Sequence, residues 1–385
     1  MCEAIIRKGA RGGVAAFFLA LASGCAVIDD TNQHGRDRAP RDGASSIENE
    51  TLQRVPVSAP RPAPERLLGL IGEYGPDQNV LYIYEQAGKL HALIERLTAY
   101  PLLEDSADVF RFPDWGLYNG ERLIFRSDAS GRVAQVEIGG GVFERRAVGP
   151  EGGGTFRITP QEPVVELRAQ AVASEPPEEE GNFRAADLVD LTALDPTIKL
   201  DIRYATSDNF LSTPLYTQPR AFLQRPAAEA VARAHRVLAK YGYGLLIHDA
   251  YRPWWVTKVF WEATPADLRK FVADPADGSR HNRGCAVDLT LYDRRTGKAV
   301  EMPGVYDEMS DRSYPGYPGG TALQRWHRDL LRKVMEQEGF AVWQTEWWHF
   351  DYNDWKKYSI LNLDFDELAG TPSWMQVARA PEKNP

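Results

Sequence analysis

Two short segments in the C-terminal half of the chain contain histidine and acidic side chains at close spacing. In Ser-Arg-His-Asn-Arg-Gly-Cys-Ala-Val-Asp, His281 and Asp288 are candidate ligands, and in Glu-Trp-Trp-His the last residue, His349, is a third. Two imidazoles and one carboxylate make up the protein part of a catalytic zinc site that keeps one coordination position open. Glu346 is then free to act as the general base. These residues predict hydrolysis assisted by a zinc ion.

The same residue types also occur in ordinary protein cores, where a histidine beside a tryptophan is usually packed and hydrogen-bonded. Their grouping in two compact segments favours the metal site instead. Gly284 lies between His281 and Asp288, where a bend of the backbone can turn both side chains toward one point. Mixed nitrogen and oxygen ligands also suit other divalent ions, so zinc is inferred here from ligand types alone.

Five segments resemble the D-alanyl-D-alanine dipeptidases, the family that includes the vancomycin-resistance dipeptidase, and they occur in the family's order. These segments are 204–210, 249–253, 279–291, 306–313 and 346–349. The resemblance covers about residues 186–368. The paired metal segments are typical of the wider group of D-Ala-D-Ala metallopeptidases and hedgehog-like folds, and the first two segments point to the dipeptidase branch.

This resemblance implies a role for each residue at a matching position. The three ligands bind zinc, and Glu346 is the general base that later donates the proton. Arg252 matches the arginine that stabilises the transition state, since a fixed guanidinium can meet negative charge that develops on oxygen. Tyr204, Ser279 and Asp307 help to form a small, closed substrate pocket, in which Asp307 binds the free ammonium group of the dipeptide. A structural ion pair is the alternative role for Arg252.

Three other side chains near these segments are assigned to packing or to contacts behind the ligands. His248 follows the apolar run 243–247, which is predicted to be a buried strand, and the family does not use this position. His327 lies in 323–339, where the apolar spacing predicts an amphipathic helix. Cys285 lies inside the first metal segment, where the family has a small residue, so we expect a packing role for it.

The elements that must position these residues lie within 185–370, where helical and strand patterns alternate. Helices are predicted at about 226–241, 254–262 and 322–337, and strands at about 199–203, 244–248, 286–292, 341–343 and 347–352. This pattern predicts an α+β catalytic domain of the D-Ala-D-Ala metallopeptidase and hedgehog type. The ligands are expected on strands and adjoining loops of a small antiparallel sheet, which gives a rigid metal site.

Residues 66–148 have the pattern of a separate all-β domain. Runs of β-branched, aliphatic and aromatic residues alternate with turn sequences and lie at 80–84, 90–94, 109–112, 122–125 and 133–138. We predict a meander or a small barrel, similar in pattern to lipocalin-like accessory domains. No cluster of metal ligands or nucleophiles occurs in this region. We therefore expect a binding or scaffolding role, with no ligand indicated.

The first 25 residues have the features of an export signal. Three basic residues between positions 7 and 11 are followed by the apolar run 14–22, which is too short to span a bilayer, and by small residues before Cys25. Lipidation of Cys25 in a bacterial lipoprotein and ordinary secretory cleavage both fit this pattern. We expect a periplasmic or cell-envelope enzyme, and in the lipidated case one that is tethered to the outer membrane.

Two segments are predicted to be linkers. Residues 26–65 are polar and rich in proline, and they cannot bury enough apolar surface to fold, so we expect disorder. Residues 149–184 contain three consecutive glycines and an acidic run, which are typical of a linker between domains. Residues 371–385 are assigned as a tail.

A net charge of −9 argues against a nucleic-acid partner, which needs a basic surface. The leading hypothesis is hydrolysis of D-Ala-D-Ala in peptidoglycan turnover. One alternative is a D,D- or L,D-carboxypeptidase that cleaves peptidoglycan stem peptides, and another is a non-catalytic cell-wall-binding protein. The presence of Glu346 argues against the last alternative, because a protein that only binds has no need of a base.

Overall fold

The structure, a computed structural model, describes residues 58–94, 96–150 and 154–370. The predicted export signal with Cys25, most of the predicted linker 26–65 and the tail 371–385 lie outside the described residues. All described residues belong to one unit, Ser45–Pro385. Within the described ranges, no helix is both long enough and apolar enough to cross a bilayer.

Residues 72–144 form two antiparallel sheets whose strands follow one another along the chain. The first sheet has the order β1 Gly72–Tyr74, β2 Leu81–Gln86, β3 Lys89–Ile94 and β4 Thr98–Pro101. The second has the order β5 Leu103–Glu104, β6 Val109–Arg111, β7 Arg122–Ser127, β8 Val133–Ile138 and β9 Gly141–Glu144. We refer to β1–β9 as the β unit. The five runs predicted from sequence coincide with β2, β3, β6, β7 and β8.

The β unit has a hydrophobic core of its own, separate from that of the C-terminal half. In β7, Leu123 and Phe125 are buried while Arg122 and Arg126 are exposed. This alternation is expected for a strand that covers a core with one face and meets water with the other. An isolated bridge between Tyr74 and Arg145 joins β1 to the chain just after β9.

The C-terminal half is built around a five-stranded sheet. Its spatial order is β11 Lys199–Leu200, β13 Tyr243–Asp249, β14 Ala286–Asp293, β16 Glu346–Tyr352 and β15 Phe340–Trp343. The pairing of β11 with β13 is parallel, and the other three pairings are antiparallel. A separate antiparallel pair joins β10 Leu188–Asp190 to β12 Phe222–Gln224. The predicted strand at 199–203 is shorter than expected, because the chain enters the 3-10 turn Arg203–Ala205.

Two amphipathic helices pack against this sheet. The helices of the described residues are α1 Glu65–Leu68, α2 Val164–Val172, α3 Leu191–Leu194, α4 Arg225–Ala239, α5 Trp254–Ala263, α6 Ala322–Gln337 and α7 Phe365–Gly370. α4 lies against β13 and α6 lies against β15. α6 begins with a capping box in which Thr321 and Gln324 each bind the other's backbone N–H. The predicted mixture of helices with a small, largely antiparallel sheet is confirmed for this half.

The segment 149–184 differs from the linker expected there. It contains α2, whose Leu167 and Ala171 are buried and which packs against α5. Glu179, in the acidic run that suggested a linker, pairs with the buried guanidinium of Arg283. Apolar contacts and an ion pair therefore attach this segment to the rest of the C-terminal half, and composition alone does not reveal such partners.

Candidate active site

The structure places the three predicted ligands on two neighbouring strands and on the turn that precedes one of them. Asp288 on β14 lies directly opposite His349 on β16 in the antiparallel pairing. Directly opposed residues have their side chains on the same face of a sheet. His281 begins the 3-10 turn His281–Arg283, and Gly284 ends this turn with a φ of 64°. The left-handed conformation at Gly284 is the backbone bend that the sequence predicts between the first two ligands.

The three candidate ligand atoms form a small triangle. Nε2 of His281 lies 3.1 Å from Nδ1 of His349 and 3.3 Å from Oδ1 of Asp288, and Nδ1 of His349 lies 3.0 Å from the same oxygen. Ligands bound at about 2 Å to one tetrahedral ion are separated by roughly these distances. Within residues 58–94, 96–150 and 154–370, no other group of three histidine, cysteine or acidic side chains has this arrangement.

The charges at the ligand triangle suit a bound cation. Oδ1 of Asp288 is buried and has no hydrogen-bond partner. Although burial opposes the charge, His281 and His349 hold the pKa of Asp288 well below its usual range. Burial opposes a charge on His349 as well, but Asp351 and Asp288 raise its pKa to about 10. The site therefore attracts positive charge, and these residues fit a divalent metal ion.

The outer nitrogen of each histidine is held by an oxygen atom. Nδ1 of His281 lies 2.6 Å from the carbonyl oxygen of Ala250, and Nε2 of His349 lies 2.9 Å from Oδ1 of Asp351. When these outer nitrogens carry the hydrogen and donate it, the inner nitrogens have free lone pairs directed at the triangle. Such contacts fix the orientation of metal-binding histidines and raise their basicity.

Glu346 lies at the start of β16, three residues before the last ligand. Its Oε2 is 3.8 Å from Nδ1 of His349, so the carboxyl group adjoins the ligand triangle without being part of it. Burial raises the pKa of Glu346 to about 7, against the opposing effect of His349. A carboxyl group with a pKa near neutrality can accept a proton and return it at ordinary pH.

Arg252 is buried three residues after the end of β13. Its Nε donates a hydrogen bond to Oδ2 of Asp249 at 2.9 Å, and its Nη2 lies 3.7 Å from Oδ2 of Asp288. Although burial alone would lower it, Asp249 holds the pKa of Arg252 well above its usual range, so the guanidinium stays charged. The ion pair that we considered as an alternative role is present, and it holds the guanidinium beside a metal ligand.

A chain of hydroxyl and carboxyl groups connects the ligand triangle to Asp307. Oη of Tyr306 lies 3.0 Å from Oδ2 of Asp288 and 3.2 Å from Oη of Tyr204. Tyr204 in turn donates to the carboxylate of Asp307, 2.9 Å from each oxygen. Burial, together with the charge of Asp288, raises the pKa of Asp307 well above its usual range. A partly buried acid of this kind is stabilised in its charged form by a cationic partner.

All eight predicted site residues line one cavity of about 110 Å³, and they are Tyr204, Arg252, Ser279, His281, Asp288, Asp307, Glu346 and His349. Ser279 accepts a hydrogen bond from the backbone N–H of His281 at 3.2 Å. Lys270 and Arg280 also line the cavity, so it contains both acidic and basic groups. Its volume is well below the roughly 300–1,000 Å³ that is typical of pockets for drug-sized ligands.

Comparison with known proteins relates this site to one family. The family model that matches residues 184–367 is described as D-ala-D-ala dipeptidase. The D-alanyl-D-alanine dipeptidase of Escherichia coli is 35% identical over 179 residues, which are 46% of this chain and 91% of that protein. The chain belongs to the D-Ala-D-Ala dipeptidase family. The D-alanyl-D-alanine dipeptidase of Enterococcus faecium is also 35% identical, over 44% of this chain and 92% of its own length.

The match to the D-Ala-D-Ala dipeptidase family includes the five-stranded sheet and every predicted site residue. It begins after the β unit, which therefore lies outside the family match. The catalytic half is a metallopeptidase of this family, and the β unit is an additional part of this chain.

Sequence reasoning missed four groups that hold the dipeptidase site in place. They are the carboxylates of Asp249 and Asp351, the hydroxyl of Tyr306 and the carbonyl of Ala250. Asp351 follows His349 by two residues on the same strand, so strand periodicity places both on one face and could have indicated it. The carbonyl of Ala250 belongs to the backbone, so the residue type does not indicate its role, which depends on the position of His281 in the fold.

His248, His327 and Cys285 are not part of the ligand triangle. The ring of His248 stacks on Tyr306 with 4.5 Å between centroids. Nε2 of His327 lies 3.1 Å from Oη of Tyr243. Cys285 is buried, and burial raises the pKa of its thiol. The packing roles predicted for these side chains are confirmed.

Proposed function

We propose that this protein is a zinc-dependent D-alanyl-D-alanine dipeptidase that acts in peptidoglycan turnover. The observation that carries the proposal is one small cavity that contains a metal-ligand triangle, a carboxyl group with a pKa near neutrality and a buried, charged arginine. The family match covers all of these residues.

Hydrolysis needs a base, an acid and a group that stabilises negative charge. When bound, a divalent cation at the ligand triangle polarises the scissile carbonyl and makes water more acidic. Glu346 takes the proton of the attacking water and returns it to the leaving amine, which its pKa of about 7 allows in both directions. Arg252, held by Asp249, meets the negative charge that develops on the carbonyl oxygen.

The charges along the cavity fit a zwitterionic dipeptide. Asp307 binds the free ammonium group, because a cation beside this partly buried carboxylate offsets the loss of hydration that raises its pKa. Lys270 and Arg280 supply positive charge for the free carboxylate of the same substrate. A cavity of about 110 Å³ favours a dipeptide over the longer stem peptides of a carboxypeptidase.

We propose zinc as the metal on the basis of ligand type and spacing. Two histidine nitrogens and one aspartate oxygen, separated by 3.0–3.3 Å, fit a tetrahedral ion with one open position. Other divalent ions accept the same ligands, so metal analysis of the purified protein is the direct test.

We also propose that the enzyme works in the periplasm or the cell envelope, with residues 66–148 as an accessory all-β domain. The basic start of the chain and the apolar run 14–22 support export, and Cys25 is the proposed site of a lipid tether. The nine antiparallel strands with their own core support the accessory domain.

The function is tested by incubating the full-length protein with D-Ala-D-Ala and with tripeptide and pentapeptide stems, each with and without a chelator. We expect release of D-alanine from the dipeptide, loss of activity with the chelator, and recovery when zinc is restored. Faster cleavage of the stems would support a carboxypeptidase instead. Absence of cleavage by zinc-loaded protein would support a cell-wall-binding protein.

A further inference from the structure

One loop lies between the substrate cavity and the β unit. We refer to residues 303–321, which precede α6, as the pocket loop. At its cavity side, Tyr306 contacts the metal ligand Asp288 and Asp307 accepts a hydrogen bond from Tyr204. Asp307 has a φ of 60°, a left-handed conformation that side chains other than glycine rarely adopt. Such a conformation persists only where the surrounding structure holds it.

The C-terminal part of the pocket loop contacts the β unit through a buried hydrogen bond. Oη of Tyr317 donates to Oε1 of Glu73 on β1 at 2.8 Å, and both side chains are buried. The other oxygen of Glu73 lies 3.2 Å from Nε of Arg146. The ring of Tyr317 also packs edge-to-face on Tyr82 of β2, with 6.0 Å between centroids. A buried carboxylate that loses a partner is costly, so these contacts hold the loop firmly.

A second contact lies nearer to Asp307 along the chain. Nη2 of Arg96, in the turn after β3, lies 2.7 Å from Oδ2 of Asp311 in the pocket loop. The same guanidinium donates to Oη of Tyr82 at 2.7 Å, which ties this ion pair to the Tyr317 contact. Asp311 follows Asp307 by four residues along the chain, so this ion pair attaches the β unit to the part of the loop that carries the proposed ammonium site.

A third contact anchors the C-terminal end of the pocket loop. Oε2 of Glu85, a buried residue of β2, accepts a hydrogen bond from the backbone N–H of Ala322 at 2.9 Å. The backbone N–H of Glu85 donates to the carbonyl of Gly320 at 3.1 Å. Ala322 is the first residue of α6, where free N–H groups favour a negative charge. The β unit therefore holds the loop at its middle and at its end.

We propose that the β unit positions the pocket loop and thereby sets Asp307 for recognition of the substrate's ammonium group. Glu73 and Tyr317 are positioning residues in this proposal, which rests on the dipeptidase function proposed above. The family model matches residues 184–367 of this chain, and the chain covers 91% of the E. coli relative. Recognition of the amino end of the substrate thus depends here on a part of the chain outside the matched peptidase fold.

The test compares Tyr317→Phe and Arg96→Gln with the wild-type protein and with Tyr100→Phe. Tyr100 is a matched control, because it is a buried tyrosine whose ring packs on Phe112 and Tyr118 within the β unit. Arg96 is about half exposed, so its substitution loosens the loop without risk to folding. Each variant is checked for zinc content and folding before kinetics.

For Tyr317→Phe we expect the KM for D-Ala-D-Ala to rise about three- to tenfold, the effect of one lost hydrogen bond, with kcat changed less than twofold. Arg96→Gln gives a smaller rise, and Tyr100→Phe gives none. The preference for D-Ala-D-Ala over N-acetyl-D-Ala-D-Ala, which has no ammonium group, also falls in Tyr317→Phe and in Arg96→Gln. An equal loss of kcat/KM for both substrates, or a lowered kcat at constant KM, would overturn the proposal.

Amide hydrogen exchange of residues 303–313 separates this proposal from the proposed function. We expect faster exchange there in Tyr317→Phe than in wild type or Tyr100→Phe, and this measurement needs no turnover. If the wild-type protein does not cleave the dipeptide, the proposed function fails while the exchange still reports whether the β unit orders the loop. Unchanged exchange in Tyr317→Phe would overturn the positioning role whatever the activity.

Discussion

At the scale of single residues, three carboxyl groups that line one cavity have different pKa values because their surroundings differ. Asp288 lies between two histidines, which hold its pKa well below the usual range. Glu346 is farther from them, and burial raises its pKa to about 7. Burial and the charge of Asp288 raise the pKa of Asp307 well above the usual range, against the opposing effect of the Tyr204 hydroxyl. In the proposed mechanism, the same chemical group thereby serves as ligand, base and substrate partner.

Glu346→Gln is expected to abolish most activity and to stabilise the metal-free protein. Acid–base catalysis contributes about 10²–10⁴-fold, so kcat should fall by that order while zinc content stays constant. The folded-state pKa of about 7 lies above the ordinary value of 4.5, so the folded state loses stability as pH rises from 4.5 to 7. Above pH 7 the charged carboxylate therefore destabilises the folded state by on the order of 3 kcal/mol.

Denaturant unfolding in the presence of a chelator measures this effect. At pH 8 the glutamine variant should have a larger free energy of unfolding than wild type, and the difference should shrink toward pH 4.5. Equal free energies of unfolding for the wild type and the glutamine variant at pH 8 would show that the folded state does not raise the pKa of Glu346. In the active, metal-loaded enzyme the cation favours the carboxylate, so the acid limb of the kcat/KM profile should have a midpoint no higher than about pH 7.

At the scale of elements, the metal site depends on strand register and on one turn. The antiparallel pairing of β14 with β16 sets Asp288 opposite His349. A shift of one residue in this pairing would send one ligand to the other face of the sheet. His281 reaches the same point because the turn His281–Arg283 ends in the left-handed Gly284.

Gly284→Ala should weaken both folding and metal binding. A Cβ at this position would lie 2.5 Å from Cδ2 of Leu188 and would also strain the backbone, whose φ is +64°. We expect a loss of about 1–3 kcal/mol in the free energy of unfolding and a weaker zinc affinity, because the turn that carries His281 must move.

Gly242→Ala is the matched control for that prediction. Gly242 also has a positive φ, of +86°, but an added Cβ would meet nothing within 4 Å. The control should lose some stability from backbone strain and should bind zinc as wild type does. Equal zinc affinity in the two alanine variants, measured by competition with a chelating dye, would contradict the role assigned to the turn.

At the scale of the whole molecule, two hydrophobic cores are joined by a largely polar interface. One core lies in the β unit and the other beneath the five-stranded sheet. Glu73, Glu85 and Arg96 of the β unit make hydrogen bonds to the pocket loop and to the start of α6. Hydrogen bonds and ion pairs require a particular geometry, so they fix the position of the loop more strictly than apolar contacts would.

Zinc should stabilise the whole chain against heat. The ligands come from positions 68 residues apart, so an ion that binds all three binds the folded chain far better than the unfolded one. At a free zinc concentration of about 100 times Kd, the gain is about 2.7 kcal/mol. Calorimetry of chelated and zinc-loaded protein should show a higher Tm with zinc, and the shift should be absent in His349→Ala. An equal shift in that variant would indicate binding elsewhere.

Much of the fold and most of the site could be predicted from residue types and their spacing. The apolar periodicity of α4, α5 and α6 indicated their bounds to within two residues, because α4 and α6 each bury one face against the sheet and α5 packs against α2. The linker prediction for 149–184 differs from the structure, since composition does not show that Glu179 has Arg283 as a partner. Asp249 and Asp351 were missed as well, because their roles depend on which side chain each one meets.

The sequence by itself indicated the candidate metal ligands, the proposed base and the proposed substrate-facing residues, since these functions require particular chemical groups in a particular order along the chain. Only the tertiary structure decided the pKa of each carboxyl group and the support of the pocket loop. The contact between Glu73 and Tyr317 joins residues 244 positions apart. Contacts over such separations arise from how two cores pack together, and no local pattern of residues records that packing.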